Sequence, residues 1–257
     1  MKLETKLEPD SALVHAVRAS SNFEQRRNGW PPSMVILHYT GMTSAEGAIG
    51  WLANPESGVS CHYVVDEAGI ITQMVAEHAR AWHAGASRWY GECDVNSMSI
   101  GIEIQNPGHE RGYPDFPPPQ MHAVAALCRD IASRNRIVPQ RFLGHSDIAP
   151  GRKIDPGEKF DWAYLARAGV GHWVTPSTDL STPSSSGDDA SMLAEALVLL
   201  RAYGYGVDNP GRDDWPKVLI RSFQMHFRPA RTDGQIDAGT LDTLRRLVDA
   251  LPEPVIA

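Results

Sequence analysis

Apolar runs and turn signals alternate along the first two thirds of the chain, and they predict a mixture of strands and helices. The continuous apolar run at 34–40 predicts a strand that is buried on both faces. Residues 99–105 carry isoleucine at every second position, with Glu103 in the middle of the opposite face. Two β-rich runs at 61–66 and 70–75, joined by a turn that contains glycine, predict a hairpin.

Helical spacing appears between these strands. Residues 118–135 repeat apolar positions at helical intervals and end in basic residues, which suits a helix C-terminus. A capped helix is expected to end at Leu52, and a further short helix is expected over 161–168. Because the elements follow no strict strand–helix–strand period, we predict an α/β fold with a mixed central sheet flanked by helices.

The composition changes beyond the last of these elements. Residues 175–187 are rich in serine, threonine and proline, which is typical of a flexible linker. Three helical patterns follow it, at 192–203, 215–226 and 240–251. We therefore divide the chain into a large first domain at 1–172, a linker at 173–189 and a small three-helix domain at 190–257. Such a linker predicts that the last domain contacts the first only loosely.

Charge and cysteine content narrow the classes of function. The formal net charge is −7, and no basic run or basic helix occurs, which argues against nucleic-acid and membrane partners. No stretch of 18 apolar residues and no apolar signal segment is found in the sequence. The 3 cysteines are widely and irregularly spaced, so they form no disulfide framework. These features predict a cytoplasmic protein, unless the natural start lies upstream.

The loop at 144–157 concentrates side chains that do chemistry. It follows a short apolar run, and its glycines and prolines fix an irregular path for His145, Lys153 and Asp155. A divalent metal is the most economical reason for this grouping, because zinc takes imidazole nitrogen and carboxylate oxygen and leaves a position for water at catalytic sites. His38, at the end of the strand predicted over 34–40, is available as a third ligand.

Two carboxylates on these elements need separate interpretations. Glu103 is costly if it is buried without a partner, so its face of the strand must open to a cleft. Asp147 competes with Asp155 as a metal ligand, but its position two residues after His145 favours a cap on the loop's own backbone.

Four motifs occur in order, at 37–40, 81–85, 100–103 and 144–157. Together they resemble the zinc-dependent N-acetylmuramoyl-L-alanine amidases of the type-2 amidase family, over residues 30–168. These enzymes cut the amide between the lactyl group of muramic acid and L-alanine of the stem peptide. The resemblance implies one Zn²⁺ ion as cofactor and peptidoglycan fragments (muropeptides) as substrate.

Carried over residue by residue, the resemblance places the zinc ligands at His38, His145 and Asp155 and the catalytic pair at Glu103 and Lys153. Two histidines and a carboxylate leave a fourth position for water. Glu103 would then act as general base and later as acid, and Lys153 would stabilise the oxyanion.

Two further residues, Trp82 and His83, are expected to line the substrate cleft. The tail at 190–257 resembles the three-helix peptidoglycan-binding modules of wall hydrolases, which implies polymeric peptidoglycan as a second partner. An attached wall-binding module favours an exported enzyme that acts on the sacculus. The missing signal segment favours recycling of imported 1,6-anhydro-muropeptides in the cytoplasm, and we adopt recycling.

A rival hypothesis of another class is a non-catalytic peptidoglycan-recognition protein. Such receptors hold muropeptides without cutting them and typically lack a zinc ligand. All three candidate ligands are present here, which favours the enzyme.

Overall fold

The computed structural model of the protein describes residues 7–178, 186–208 and 210–252. Eight strands lie in the first part of the chain: β1 (Ala16–Val17), β2 (Phe23–Gln25), β3 (Met34–Tyr39), β4 (Tyr63–Val65), β5 (Ile71–Gln73), β6 (Ala79–Ala81), β7 (Ser99–Ile104) and β8 (Phe142–Gly144). Six of them form one sheet in the order β1-β5-β4-β7-β3-β8, and β2 pairs with β6. Strands β3, β4, β7 and β8 run parallel, whereas β5 is antiparallel to β4, so the predicted mixed sheet is confirmed.

The register of the two central strands positions the first two candidate site residues. His38 on β3 pairs directly with Glu103 on β7. Both residues are near the carboxyl ends of their strands, and parallel neighbours end at the same edge of a sheet. Because side chains alternate between the two faces, directly paired residues also lie on the same face. The register of β3 and β7 therefore places an imidazole and a carboxylate side by side.

Eight α-helices accompany the strands in the described residues: α1 (Ala45–Ala53), α2 (Val95–Met98), α3 (Pro118–Asn135), α4 (His145–Ile148), α5 (Trp162–Arg167), α6 (Ser186–Tyr203), α7 (Trp215–Phe227) and α8 (Ala238–Asp249). Helix α3 has the predicted bounds and packs its apolar stripe on the sheet face that carries Val35, Leu37 and Ile102. Among the helices of the described residues, none has the length and apolarity that a membrane span requires.

The tail helices α6, α7 and α8 pack with the opposite face of the sheet. Met34, Ile36 and Leu143 share one buried cluster with Leu219 and Phe223 of α7, together with residues of α6 and α8. The expectation of only loose contact between tail and catalytic region is therefore wrong for the described residues. The composition of a linker indicates how flexible the linker is. It does not indicate whether the apolar faces of the helices that follow pack against the sheet.

The predicted linker at 173–189 is described in part. Trp173 and Val174 pack against the shared cluster, and the backbone N–H of Ser177 donates to Thr243 Oγ1 at 3.0 Å. Its segment at 179–185 lies outside the described residues, and α6 begins at Ser186. The division into domains at 172 and 190 stays a prediction.

Trp89 anchors the tail to the catalytic region. Its indole is fully buried, with ring centroids 4.9 Å from Tyr205 and 6.1 Å from Tyr203. Gly204 lies between these tyrosines with φ +127°, and a Cβ there would lie 2.7 Å from Trp89 Cε2. The close approach of indole and backbone therefore requires glycine at this position.

We expect Trp89→Ala to lower the free energy of unfolding by ~3–5 kcal/mol, because it leaves a large cavity between tail and catalytic region. Denaturant unfolding of the full chain should show one cooperative transition, shifted as a whole to lower denaturant. Trp30→Ala, at a half-exposed indole, is the matched control and should leave the midpoint nearly unchanged. Two transitions, of which Trp89→Ala shifts only one, would instead show a tail that folds independently.

Candidate active site

All seven residues predicted for the site line one cleft of about 530 Å³: His38, Trp82, His83, Glu103, His145, Lys153 and Asp155. Strand β3 supplies His38 and β7 supplies Glu103. His145 was expected where a loop begins, but it opens the single-turn helix α4 directly after β8. The remaining positions come from the segment after β6 and from the loop after α4.

Three buried side chains converge in this cleft as the candidate metal ligands. His38 Nδ1 and His145 Nδ1 are 2.9 Å apart, and each lies 3.0 Å from Asp155 Oδ2. All three residues are at least nine-tenths buried. The structure therefore brings together the three ligands that the resemblance implied.

The hydrogen-bond chain behind His38 fixes which of its nitrogens is protonated. The Ser99 hydroxyl donates to the Val95 carbonyl at 2.7 Å, which leaves its oxygen to accept from His83 Nε2 at 3.1 Å. His83 Nδ1 must then accept from His38 Nε2 at 3.0 Å. Because a neutral imidazole has one N–H, His38 Nδ1 presents a lone pair to the cleft.

His145 is oriented in the same sense by a backbone group. Its Nε2 lies 3.0 Å from the Ala84 carbonyl, which can only accept, and 3.2 Å from Arg152 Nη2, which can only donate. We assign the proton to Nε2 on the shorter contact. The Arg152 guanidinium donates to the same carbonyl oxygen. His145 Nδ1 is therefore also a lone pair that points at His38 and Asp155.

Electrostatics agree with a neutral His38 and an ionised Asp155. Burial, together with the neighbouring His145, lowers the pKa of His38 to about 4, while Asp155 opposes the shift. Burial alone would raise the pKa of Asp155, but the electrostatic interaction and hydrogen bonds with the neighbouring His145 and His38 hold it below its ordinary range, so this carboxylate is ionised. Two nitrogen lone pairs and an anionic oxygen within about 3 Å, with no proton between them, repel one another and fit a bound cation.

Asp147, the rival ligand, is turned away from this trio. Its Oδ2 accepts from the Gly144 backbone N–H at 2.7 Å, which is the loop cap expected from its position. Tyr205 and His226 of the tail contact the same carboxylate. With its oxygens engaged in this way, Asp147 is not available to the metal trio, and Asp155 is the ligand that the geometry supports.

Glu103 places its carboxylate in the same cleft. Its Oε2 is buried and makes no hydrogen bond within the described residues. Burial raises the pKa of Glu103 well above its ordinary value, the Asp155 carboxylate raises it further, and Lys153 opposes the shift. A carboxylate with a raised pKa beside a candidate metal site has the properties that a general base requires.

The two residues predicted to contact substrate have different environments. The half-buried indole of Trp82 lines the cleft, and its contact with substrate stays a prediction. His83 also lines it but is only 9% exposed, and its ring is engaged at both nitrogens in the chain to His38. Gly101 makes room for this ring, since a Cβ there would lie 2.4 Å from His83 Cγ. The geometry thus supports His83 as an orienting residue for His38.

Sequence reasoning missed several contributors. Ser99 opens β7 as an ordinary strand residue, and no sequence signal marks it as the end of a hydrogen-bond chain. Tyr39, Trp51, Arg111 and Arg152 also line the cleft without having been assigned. Two of these residues could have been found from their position in the motifs. Tyr39 directly follows the candidate ligand His38, and Arg152 directly precedes Lys153.

Comparison with known proteins decides the family. The protein-family model described as N-acetylmuramoyl-L-alanine amidase matches residues 28–158. The N-acetylmuramoyl-L-alanine amidase AmiD of Escherichia coli is 36% identical over 224 residues, which cover 80% of this chain and 79% of that protein. The chain belongs to the N-acetylmuramoyl-L-alanine amidase family.

Solved structures agree with this assignment over nearly the whole chain. AmiD from E. coli, solved in complex with the substrate anhydro-N-acetylmuramic acid-L-Ala-D-gamma-Glu-L-Lys, superposes with a TM-score of 0.76 at 33% identity, covering 88% of this chain and 92% of that one. AmpDh3 from Pseudomonas aeruginosa, in complex with anhydromuramic pentapeptide, gives 0.75 at 29% identity, covering 97% and 100%. The fold and the family inferred from the four motifs are confirmed, and the chain is an amidase.

Proposed function

We propose that this amidase uses one zinc ion to hydrolyse the bond between N-acetylmuramic acid, or its 1,6-anhydro form, and L-alanine in muropeptides. The observation that carries the proposal is the convergence of two imidazole lone pairs and the Asp155 carboxylate beside the unpaired Glu103. His38, His145 and Asp155 would hold the metal. Zinc bound there would supply an acidified water and polarise the substrate carbonyl.

The chain's own residues divide the remaining chemistry. Glu103 takes a proton from the attacking water, and the same carboxyl then delivers a proton to the departing amine of L-alanine. The Lys153 ammonium stabilises the negative charge that develops on the carbonyl oxygen. His83 and Ala84 hold the two imidazoles in the orientation that presents their Nδ1 atoms to the cleft.

The substrate class is inferred from relatives and from the cleft. AmiD and AmpDh3 were each solved with an anhydromuramic peptide. In this chain Trp82 offers an apolar surface at the cleft, while Arg111 and Arg152 offer positive charge for the carboxylates of a stem peptide. We assign soluble muropeptides as substrate, in cell-wall recycling.

A direct assay tests the activity. The full-length protein, loaded with zinc, is incubated with an anhydro-N-acetylmuramyl tripeptide, and the products are identified by mass spectrometry. Release of the free tripeptide and of the sugar without its peptide supports the proposal. Binding of intact muropeptide without turnover would instead favour the recognition-protein alternative.

Lys153→Met should lower kcat by ~10²–10³, because the oxyanion loses its nearby cation while the shape of the side chain is retained. Steady-state kinetics on the soluble muropeptide measure this change, and zinc content should equal that of the wild type. Lys159→Met, at an exposed lysine outside the cleft, is the matched control. If Lys153→Met raised only KM, Lys153 would bind substrate rather than stabilise the transition state.

Binding of polymeric peptidoglycan by residues 190–257 is a separate part of the proposal, supported by the motif resemblance of the tail. Pull-down of the full-length protein on insoluble sacculi tests it. Cytoplasmic location is likewise proposed from the sequence, and fractionation of a tagged full-length protein checks it. Recovery with the envelope would support the exported alternative.

A further inference from the structure

The carboxylate of Asp147 is the point at which the tail meets the metal-binding loop. Asp147 lies on α4, two residues after His145, and is fully buried. From the loop itself it receives the Gly144 N–H at 2.7 Å. Its other contacts come from more than fifty residues away in the sequence.

Two tail residues complete the coordination of this carboxylate. The Tyr205 hydroxyl donates to Oδ1 at 2.5 Å, and His226 Nδ1 donates to Oδ2 at 2.7 Å. Both side chains are at least 97% buried, so these charge-assisted hydrogen bonds form away from water. A buried carboxylate with three donors fixes the position of the helix that carries it.

Aromatic packing fixes the two donors in turn. The His226 ring is stacked between Trp162 at 3.6 Å and Phe227 at 3.7 Å between centroids. The Tyr205 ring packs against Trp89. The tail therefore presents both donors in rigid positions, and α4 has little freedom to shift against them.

The same tail segment also contacts the chain segment at 84–90, which follows Trp82 and His83 of the cleft. The Tyr90 N–H donates to the Gly204 carbonyl at 2.8 Å, next to Tyr205 in sequence. The Arg88 N–H donates to the Ile148 carbonyl at 2.8 Å, which ties this segment to the end of α4. The segment at 84–90, which supplies the Ala84 carbonyl to His145, and helix α4 are thus held together by one part of the tail.

From this arrangement we propose that Tyr205 and His226 are positioning residues, through which the tail holds His145 in its metal-binding orientation by way of Asp147. The tail is then a working part of the catalytic centre in addition to any role in wall binding. The expected change in zinc affinity rests on the zinc site of the proposed function, whereas the positioning of α4 does not.

Two point variants in the full-length protein test the proposal. Tyr205→Phe removes only the hydroxyl donor, and His226→Leu removes the imidazole donor. Each should weaken zinc affinity by ~10-fold or more, measured by competition with a chromogenic chelator, because partners behind a metal ligand typically contribute 10–100-fold. In the same variants kcat should fall while KM for soluble muropeptide stays within about twofold.

A conservative variant and a distant control separate positioning from general stability. His226→Asn keeps an N–H near the place of Nδ1 and should restore most of the zinc affinity that His226→Leu loses. Glu195→Gln breaks an exposed ion pair with Arg245 between two tail helices and should leave zinc affinity unchanged. Reduced melting temperature with wild-type zinc affinity and kcat in Tyr205→Phe and His226→Leu would overturn the proposal.

Amide hydrogen exchange of the metal-free proteins gives a readout that needs no zinc. Residues 144–149 should exchange about tenfold faster in Tyr205→Phe than in the wild type, while the amides of α3 remain unchanged. If the wild type bound no zinc, the proposed function would fail, and this exchange experiment would still decide whether the tail fixes α4. Equal exchange in variant and wild type would rule out the positioning role.

Discussion

Glu103→Gln is expected to lower turnover by ~10²–10⁴ while the zinc content stays that of the wild type, because the amide keeps the shape of the carboxylate but accepts no proton. The fold should tolerate this substitution because of how the side chain is bonded. Its Oε2 is buried and makes no hydrogen bond within the described part of the chain, so no structural ion pair is lost by the substitution. Kinetics on soluble muropeptide, with metal analysis of the same preparation, measure both quantities.

The rate of hydrolysis should also depend on pH through Glu103. A general base works when it is ionised, so activity is present above its pKa and is lost as the pH falls through it. Since burial raises the pKa of Glu103 well above its ordinary value of 4.5, the acid limb of kcat/KM should lie on the neutral side of that value. Glu67→Gln, at an exposed hairpin turn, should keep both rate and profile. Full turnover in Glu103→Gln would place the base elsewhere.

The central strands could be predicted from the sequence because their information is local. A continuous apolar run gave β3, and isoleucine at every second position gave β7 with Glu103 on the open face. The parallel pairing of these two strands, which the structure shows, sets His38 beside Glu103. The sequence thus predicted the two strands and the faces of these two residues, but the register that brings them together was not predicted.

The rest of the site depends on contacts that no local pattern encodes. His83 was assigned to the substrate because its motif lies in the cleft, yet its ring is engaged between Ser99 and His38. Only the three-dimensional fold shows that a strand residue and a loop residue are neighbours. A hydrogen-bond chain of this kind leaves no periodic trace in the sequence.

The tail was the largest departure from expectation. Helical spacing predicted α7 and α8 closely and α6 without its first turns, but each apolar helix face could have packed on the others or on the sheet. The structure shows that they also cover the face of β3 that carries Met34 and Ile36. Side chains alternate along a strand, so His38 lies on that same face. The tail therefore lies next to the metal site for a reason that amphipathic spacing alone could not give.

Removal of the metal should abolish hydrolysis, and added zinc should restore it. His145→Ala is expected to fold but to lose most of its zinc affinity, because it deletes one of three ligands. The loss should exceed the ~100-fold that removal of a hydrogen-bond partner behind a ligand costs. Metal content by atomic emission measures the loss. The melting temperature gives a second readout, since a metal that binds only the native state raises it and a chelator should lower it in the wild type but not in the variant.

Asp155 and Asp147 should differ in their effect on metal binding. Asp155 Oδ2 lies 3.0 Å from both histidine Nδ1 atoms, whereas both oxygens of Asp147 are engaged by Gly144 and the tail. Asp155→Asn should therefore remove the metal outright, whereas Asp147→Asn should retain it with reduced affinity. His122→Ala, at an exposed imidazole on α3, should keep both metal and activity. A metal-free His145→Ala protein that still turned over muropeptide at the wild-type rate would show that the cation takes no part in the reaction.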